Sequence, residues 1–146
     1  MKKNYKLTAS ILLFGLMPVN SLSAATLDIR INGFKNNTGG SIVYLHNQSS
    51  SFPFPSSPEN AVSIRTEKIT AQSAQLVFSN LKPGRYAVSI IHDENGDGKL
   101  QSNFMGIPEE GVGVSNNVHG HFGPPSYDDA SFILKDHKYL KIKVHY

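Results

Sequence analysis

Asp93, Asn95 and Asp97 stand at alternate positions and Gly98 follows directly. Oxygen side chains at the first, third and fifth places of a run, with glycine at the sixth, make the first half of a calcium loop of the EF-hand type. The spacing has a physical reason: a tight turn presents alternate side chains to one centre, and glycine permits the bend. The carbonyl of Lys99 would be the next ligand, and Gln101 stands where a ligand binds directly or through water. The second half departs from the pattern. Phe104 occupies the place of the closing bidentate glutamate, so that carboxylate would have to come from Glu109, Glu110, Asp128 or Asp129. No helix pattern flanks the run. The competing reading takes Asp93, Asn95 and Asp97 as ordinary turn residues whose side chains bond nearby backbone N–H groups.

A second set is His92, His119 and His121. On an extended segment His119 and His121 face the same way, and with His92 or Asp93 they would form a zinc or copper site able to activate water. Their spacing matches no familiar metalloenzyme motif, and three scattered polar histidines are the simpler reading. Glu109 and Glu110 are adjacent, so on an extended chain they point apart and make a poor acid/base pair. No nucleophile elbow, phosphate loop or dinucleotide fingerprint is present.

Both sets lie in one polar stretch, His92–Tyr127, rich in Gly, Asn, Asp and Pro. Loops beyond about 12–15 residues without regular structure are functional or disordered. This one also holds Phe104, Met105, Ile107, Val112, Val114 and Phe122, which argues for order held by its own packing, with or without an ion. Phe122 and Tyr127 either frame a groove for an extended ligand or sugar, or cap the end of the fold. The run 106–117 is either a tight structural loop or a ligand-facing one.

The elements that position this loop read as strands. In Thr26–Phe34, Leu27, Ile29 and Ile31 alternate with Asp28, Arg30 and Asn32, the period of a half-buried strand. Ser41–His46 follows a turn cluster at 36–40, giving a hairpin. Asn47–Asn60 is a Ser/Pro-rich surface loop, with Phe52 and Phe54 either pinning it to the core or forming an exposed aromatic binding patch. Val62–Ile69, Ala74–Ser79 and Arg85–Ile91 are further strands, with Pro83-Gly84 at the centre of a type II turn. After the long loop come Ala130–Leu134 and Tyr139–Tyr146, the last with Leu140, Ile142, Val144 and Tyr146 on one face. Seven or so short strands and no convincing helix predict an all-β antiparallel sandwich.

Residues 1–25 have the plan of a secretory signal peptide: Lys2, Lys3 and Lys6, the apolar run Leu7–Met17, then Ser23-Ala24-Ala25 as small residues for cleavage. The run is too short for a membrane anchor, which needs about 20 apolar residues, so no integral membrane segment is expected after cleavage. The domain is 26–146, and the protein is periplasmic or secreted. Those three lysines account for the whole excess of basic over acidic residues, 14 against 11, so the mature domain is formally neutral and carries no nucleic-acid patch. The chain has no cysteine, so neither a disulfide nor a lipid-anchored cysteine is available.

Phe78–Tyr86 as F-x-N-L-K-P-G-R-Y, Ala87-Val88, and His92–Leu100 as HDENGDGKL together resemble the signature of one family. Gly106-Ile107-Pro108-x-Glu110-Gly111, Val114–Asn117 and Phe122–Tyr127-x-x-Ala130 continue it in order, so the resemblance spans essentially the whole mature chain. The family is the bacterial group catalogued as domain of unknown function 2141. The resemblance implies exported bacterial proteins with a transthyretin-like or immunoglobulin-like sandwich, and no established activity. His119 and His121 are not part of the family pattern.

The expected function is an exported, non-enzymatic binding or scaffolding module with a calcium-ordered loop at Asp93–Asp97 and a protein or glycan as partner. The alternative is a zinc- or copper-dependent enzyme using His92, His119 and His121. A small outer-membrane barrel is disfavoured, because transmembrane strands need about 9–11 residues and most strands here are shorter.

Overall fold

The computed structural model describes residues 24–53, 60–120 and 123–146. The expected leader lies outside these residues except for its last two, as do Phe54, His121 and Phe122. Among the described residues eight strands make two sheets, with one four-residue α-helix and two single 3-10 turns, so the fold is all-β. The strands are β1 Ala25–Asn32, β2 Gly40–His46, β3 Ser63–Lys68, β4 Ser73–Leu81, β5 Gly84–Asp93, β6 Val112–Val114, β7 Phe132–Leu134 and β8 His137–Lys143. Helix α1, Tyr127–Ala130, precedes β7.

The first sheet has the order β4-β1-β8. Leu27, Ile29 and Ile31 of β1 are completely buried, as their alternation predicts. Ile29 lies opposite Leu76 on β4 and Leu140 on β8, and Ile31 opposite Ala74 and Ile142, so two apolar rows cross all three strands. The pairing of β1 with β8 is parallel, which corrects the wholly antiparallel expectation. Almost the entire chain separates the two strands, so no short turn dictates their relative direction.

The second sheet has the order β3-β2-β5-β6, with β7 paired to the beginning of β5. Val43 and Leu45 of β2, with Tyr86, Val88 and Ile90 of β5, join the residues of the first sheet in a single core. The opposite faces of β2 and β5 are buried too. Ile42, Tyr44 and Ile91 pack with Ala61, Ile64 and Leu100, and Ala87 packs with Phe52, Val118, Tyr127 and Ala130. Leu100, Val118, Tyr127 and Ala130 all belong to the long connection after β5, which therefore covers the outer face of its own sheet.

The turn before β5 differs from expectation. Left-handed backbone occurs at Asn80 (φ 59) and not at Gly84, so the turn does not have the type II form. Tyr86 donates its hydroxyl to the Lys82 carbonyl at 2.8 Å and ties the turn to the core.

Candidate functional site in the long loop

Asp93 ends β5 and turns inward. Its Oδ1 accepts the N–H groups of Gly96 (2.9 Å) and Asp97 (3.2 Å), and its Oδ2 accepts that of Gly98 (3.0 Å). Gly96 and Gly98 hold φ values of 74° and 76°, and a methyl group on either would meet nothing within 4 Å. Glycine serves there for the left-handed backbone alone. Asn95 Oδ1 accepts the Asp97 N–H at 3.0 Å. Asp97 points outward, with Oδ1 accepting the Lys99 N–H at 2.9 Å and Oδ2 facing the side-chain amides of Asn95 and Gln101.

Glu110 closes the turn. It is buried, with Oε1 accepting the Glu94 N–H and Oε2 the Gln101 N–H, each at 3.0 Å. Of the four carboxylates considered for closure, it is the one that reaches the loop. Asp128 pairs with Arg85 at 2.9 Å, Asp129 bonds Ser126 at the start of α1, and Glu109 is exposed. The turn thus unites Asp93, Asn95, Asp97 and Gln101, with Lys99 contributing its N–H to Asp97. The buried carboxylates of Asp93 and Glu110 are spent on backbone N–H groups, which is the ordinary turn chemistry. Asp97 and its two amide neighbours are the outward-facing part of the turn. Among the described residues, no three or more His, Cys, Asp or Glu side chains form a group placed to hold a metal.

The histidines have other partners. His92 is completely buried, with Nε2 at 2.8 Å from the Thr38 carbonyl and Nδ1 at 2.5 Å from the Tyr146 hydroxyl. A carbonyl only accepts, so Nε2 carries the ring hydrogen and Nδ1 accepts from Tyr146. The Tyr146 oxygen in turn accepts the Lys35 N–H at 3.0 Å. Both nitrogens of His92 are occupied, and His119 lies edge-on to His145 with 4.6 Å between ring centres. His121 lies outside the described residues, so the expected trio loses its His92 member.

His46, which the sequence did not single out, is likewise buried. Its Nε2 is 2.9 Å from Ser89 Oγ and its Nδ1 is 3.0 Å from Ser51 Oγ. Ser89 donates to the Pro53 carbonyl, so the imidazole donates from Nε2 and accepts from Ser51 at Nδ1. Burial pushes the His46 pKa down to about 4, against an opposing pull from the Pro53 carbonyl. The Ser–His–Ser arrangement resembles part of a nucleophilic set, but it is sealed in the interior.

The long loop also builds a cleft of about 520 Å³. It is lined by Val112–Val114 of β6, by Met105–Pro108, and by Gly120 and Gly123–Pro125. Val112 and His145 exchange two backbone hydrogen bonds of 2.8 Å, which bring the chain after β8 to the cleft edge. A side chain at Gly113 would come within 2.9 Å of the Lys143 carbonyl, so only glycine allows β6 this close to the last strand. Asn117 secures the same edge, accepting the Lys143 N–H at 2.8 Å and donating to the Lys141 carbonyl at 3.1 Å. Lys143, His145 and His119 also line the cleft, and no carboxylate does among the described residues. Phe104, Met105 and Ile107 stand exposed at the rim.

Tyr127 does not frame the cleft. It is buried against Phe52, donates to the Arg85 carbonyl at 3.1 Å, and anchors the return of the loop. No described helix is long and apolar enough to cross a membrane. No curated protein and no solved structure matches the chain. The family model described as an uncharacterised protein conserved in bacteria (DUF2141) matches residues 29–142, the two-sheet domain and its long loop together, and the chain belongs to that family.

Proposed function

We propose that the protein is an exported, non-enzymatic binding module, a transthyretin-like or immunoglobulin-like sandwich that takes a small ligand in the cleft made by its long loop. Export rests on the lysine-rich start, the apolar run and the Ala-Ala cleavage site of residues 1–25. The observation that carries the binding reading is the cleft itself, about 520 Å³ and lined mainly by apolar groups. That volume lies within the roughly 300–1,000 Å³ of small-molecule sites. Its lining suits an apolar body better than a glycan, whose hydroxyls would need more polar partners than the walls supply. The groups best suited to chemistry, His46, His92, Asp93 and Glu110, are buried and spent on internal hydrogen bonds. The test is nuclear magnetic resonance mapping with decan-1-ol, a neutral apolar probe. Shift changes should centre on Ile107, Val112, Val114 and Val118; changes scattered over the surface, or none, would refute the reading.

A second reading keeps calcium as a structural ion of Asp93, Asn95, Asp97, Lys99 and Gln101. The observation in its favour is Glu110, the carboxylate missing from the linear pattern, which comes to the same turn through space. When bound, the ion would supply charge neutralisation and order, not catalysis. An ion at ~100 times its dissociation constant stabilises a fold by ~2.7 kcal/mol, visible as a rise of several degrees in a calcium melt against chelator. Magnesium should give less, because it rarely uses such an all-protein cage.

A further inference from the structure

The charge in the lining of the cleft is unbalanced. Lys143 and His145 are two residues apart on an extended chain, so both side chains emerge on one side, and the His119 ring rests against that of His145. The ion pairs among the described residues are Lys35 with Glu94 and Arg85 with Asp128, and neither involves Lys143. Lys143 is exposed, and its register partner on β1 is Asn32, not an acid. His145 is held below its ordinary pKa by burial first, then by His119 and Lys143. Two nearby groups thus disfavour positive charge on it. The rest of the lining, Met105, Ile107 and Pro124 among it, carries no charge.

We propose that the cleft binds an amphiphilic carboxylate, a fatty-acid-like molecule whose head group sits among Lys143, His145 and His119 while its apolar body lies along Met105, Ile107 and Pro124. This rests on the cleft being a ligand site and adds the charge of the ligand and its orientation. A carboxylate supplies the counter-charge that the lining lacks, and it accepts hydrogen bonds from a lysine and from imidazole N–H groups at once. A neutral or cationic amphiphile of equal length gains the same apolar burial without that term.

The test compares decanoate, decan-1-ol and decylamine by titration calorimetry on the purified protein. Decanoate should bind about fivefold more tightly than the alcohol, the scale of a partly screened ion pair, and decylamine most weakly. Lys143→Gln should bring decanoate down to the affinity of the alcohol, so that the ratio of the two falls from about fivefold to about one. Lys143→Glu should reverse the order of acid and amine, with an unchanged melting temperature certifying the fold. If the alcohol binds in the cleft but the three probes are equal, or if Lys143→Gln weakens acid and alcohol alike, the carboxylate assignment falls while the ligand site stands. If no probe binds, both fall.

Discussion

Acidification should loosen this protein, and His46 should carry the largest share. The imidazole is inaccessible to solvent, Tyr44 stacks beside it at 6.2 Å and Phe52 meets it edge-on at 5.3 Å. Protonation at Nδ1 can be accommodated by the hydrogen bonds, because Ser51 can turn its proton to the Gln48 carbonyl at 3.3 Å. The cost is therefore chiefly that of a charge in an apolar surrounding. The folded pKa is about 4 against 6.5 for the free side chain. Between those values the unfolded chain binds the extra proton, so folding stability is complete above pH 6.5 and falls as pH drops through the window. A difference of ~2.5 pH units corresponds to roughly 3 kcal/mol in all, about 2 kcal/mol of it lost between about pH 7.5 and about pH 5. Urea unfolding at those two pH values, on the wild type and on His46→Gln, isolates the effect. Gln keeps a donor and an acceptor without titrating, and other acid-sensitive groups, such as His145 and Glu94, are common to both proteins and cancel. The wild type should lose about 2 kcal/mol more than the variant. Parallel losses would refute the assignment of the acid sensitivity to His46.

Two further outcomes follow from the way the loop is tied. Asp93→Ala should cost about 2–4 kcal/mol without any ion, because three backbone N–H groups lose a buried carboxylate, whereas Asp97→Ala, on the exposed side, should cost under about 1 kcal/mol. Chemical denaturation in chelator checks the order, and calcium added to Asp97→Ala should restore none of the calcium-dependent shift if that shift exists in the wild type. Tyr146→Phe should destabilise by about 1–3 kcal/mol, since His92 Nδ1 and the Lys35 N–H lose their shared partner. Nitrogen chemical shifts of His92 should show hydrogen on Nε2 in the wild type; hydrogen on Nδ1 would overturn the network.

What could be read from the chain depends on how many faces of each strand are covered. β1 and β8 each have one buried face, so Leu27, Ile29, Ile31 and Leu140, Ile142 announce themselves by alternation. β2 is buried at every position from Ser41 to His46, and β5 from Tyr86 to Asp93. Their outward residues are a mixture, Ile42, Tyr44, His46, Ala87, Ser89 and Ile91, whose burial depends on a loop that returns from far along the chain. β6 is three residues with a central glycine, and only the approach of the Lys143 carbonyl explains that glycine. The link between β3 and β4 turns at Ala71 and Gln72, both at positive φ, in place of the Asn or Gly such a turn normally uses. Asn37 and the Lys35 carbonyl hold Gln72 there, contacts at a distance that no local pattern records.

The same reasoning separates the two kinds of polar residue in the long loop. Asp93 and Asp97 look equivalent in the linear motif, yet one lies inward under three N–H groups and the other faces water. The difference is set by where β5 ends: Asp93 is its last residue and still sits opposite Gly40 on β2. A methyl group on the neighbouring Gly39 would fall 1.9 Å from the Asp93 carbonyl, so the two segments touch through bare backbone. Asp93 is thus fixed by the sheet, and Glu110 on the far side of the turn is fixed through Glu94 and Gln101. With both ends anchored this way, the segment between Gln101 and Glu110 projects as a braced rim instead of collapsing onto the core. That bracing leaves Phe104, Met105 and Ile107 outside the packed interior and holds one wall of the cleft open. The acidic turn therefore positions a wall of the cleft, and if the cleft takes a ligand as proposed, loss of Asp93 should weaken decan-1-ol binding even though Asp93 does not line it.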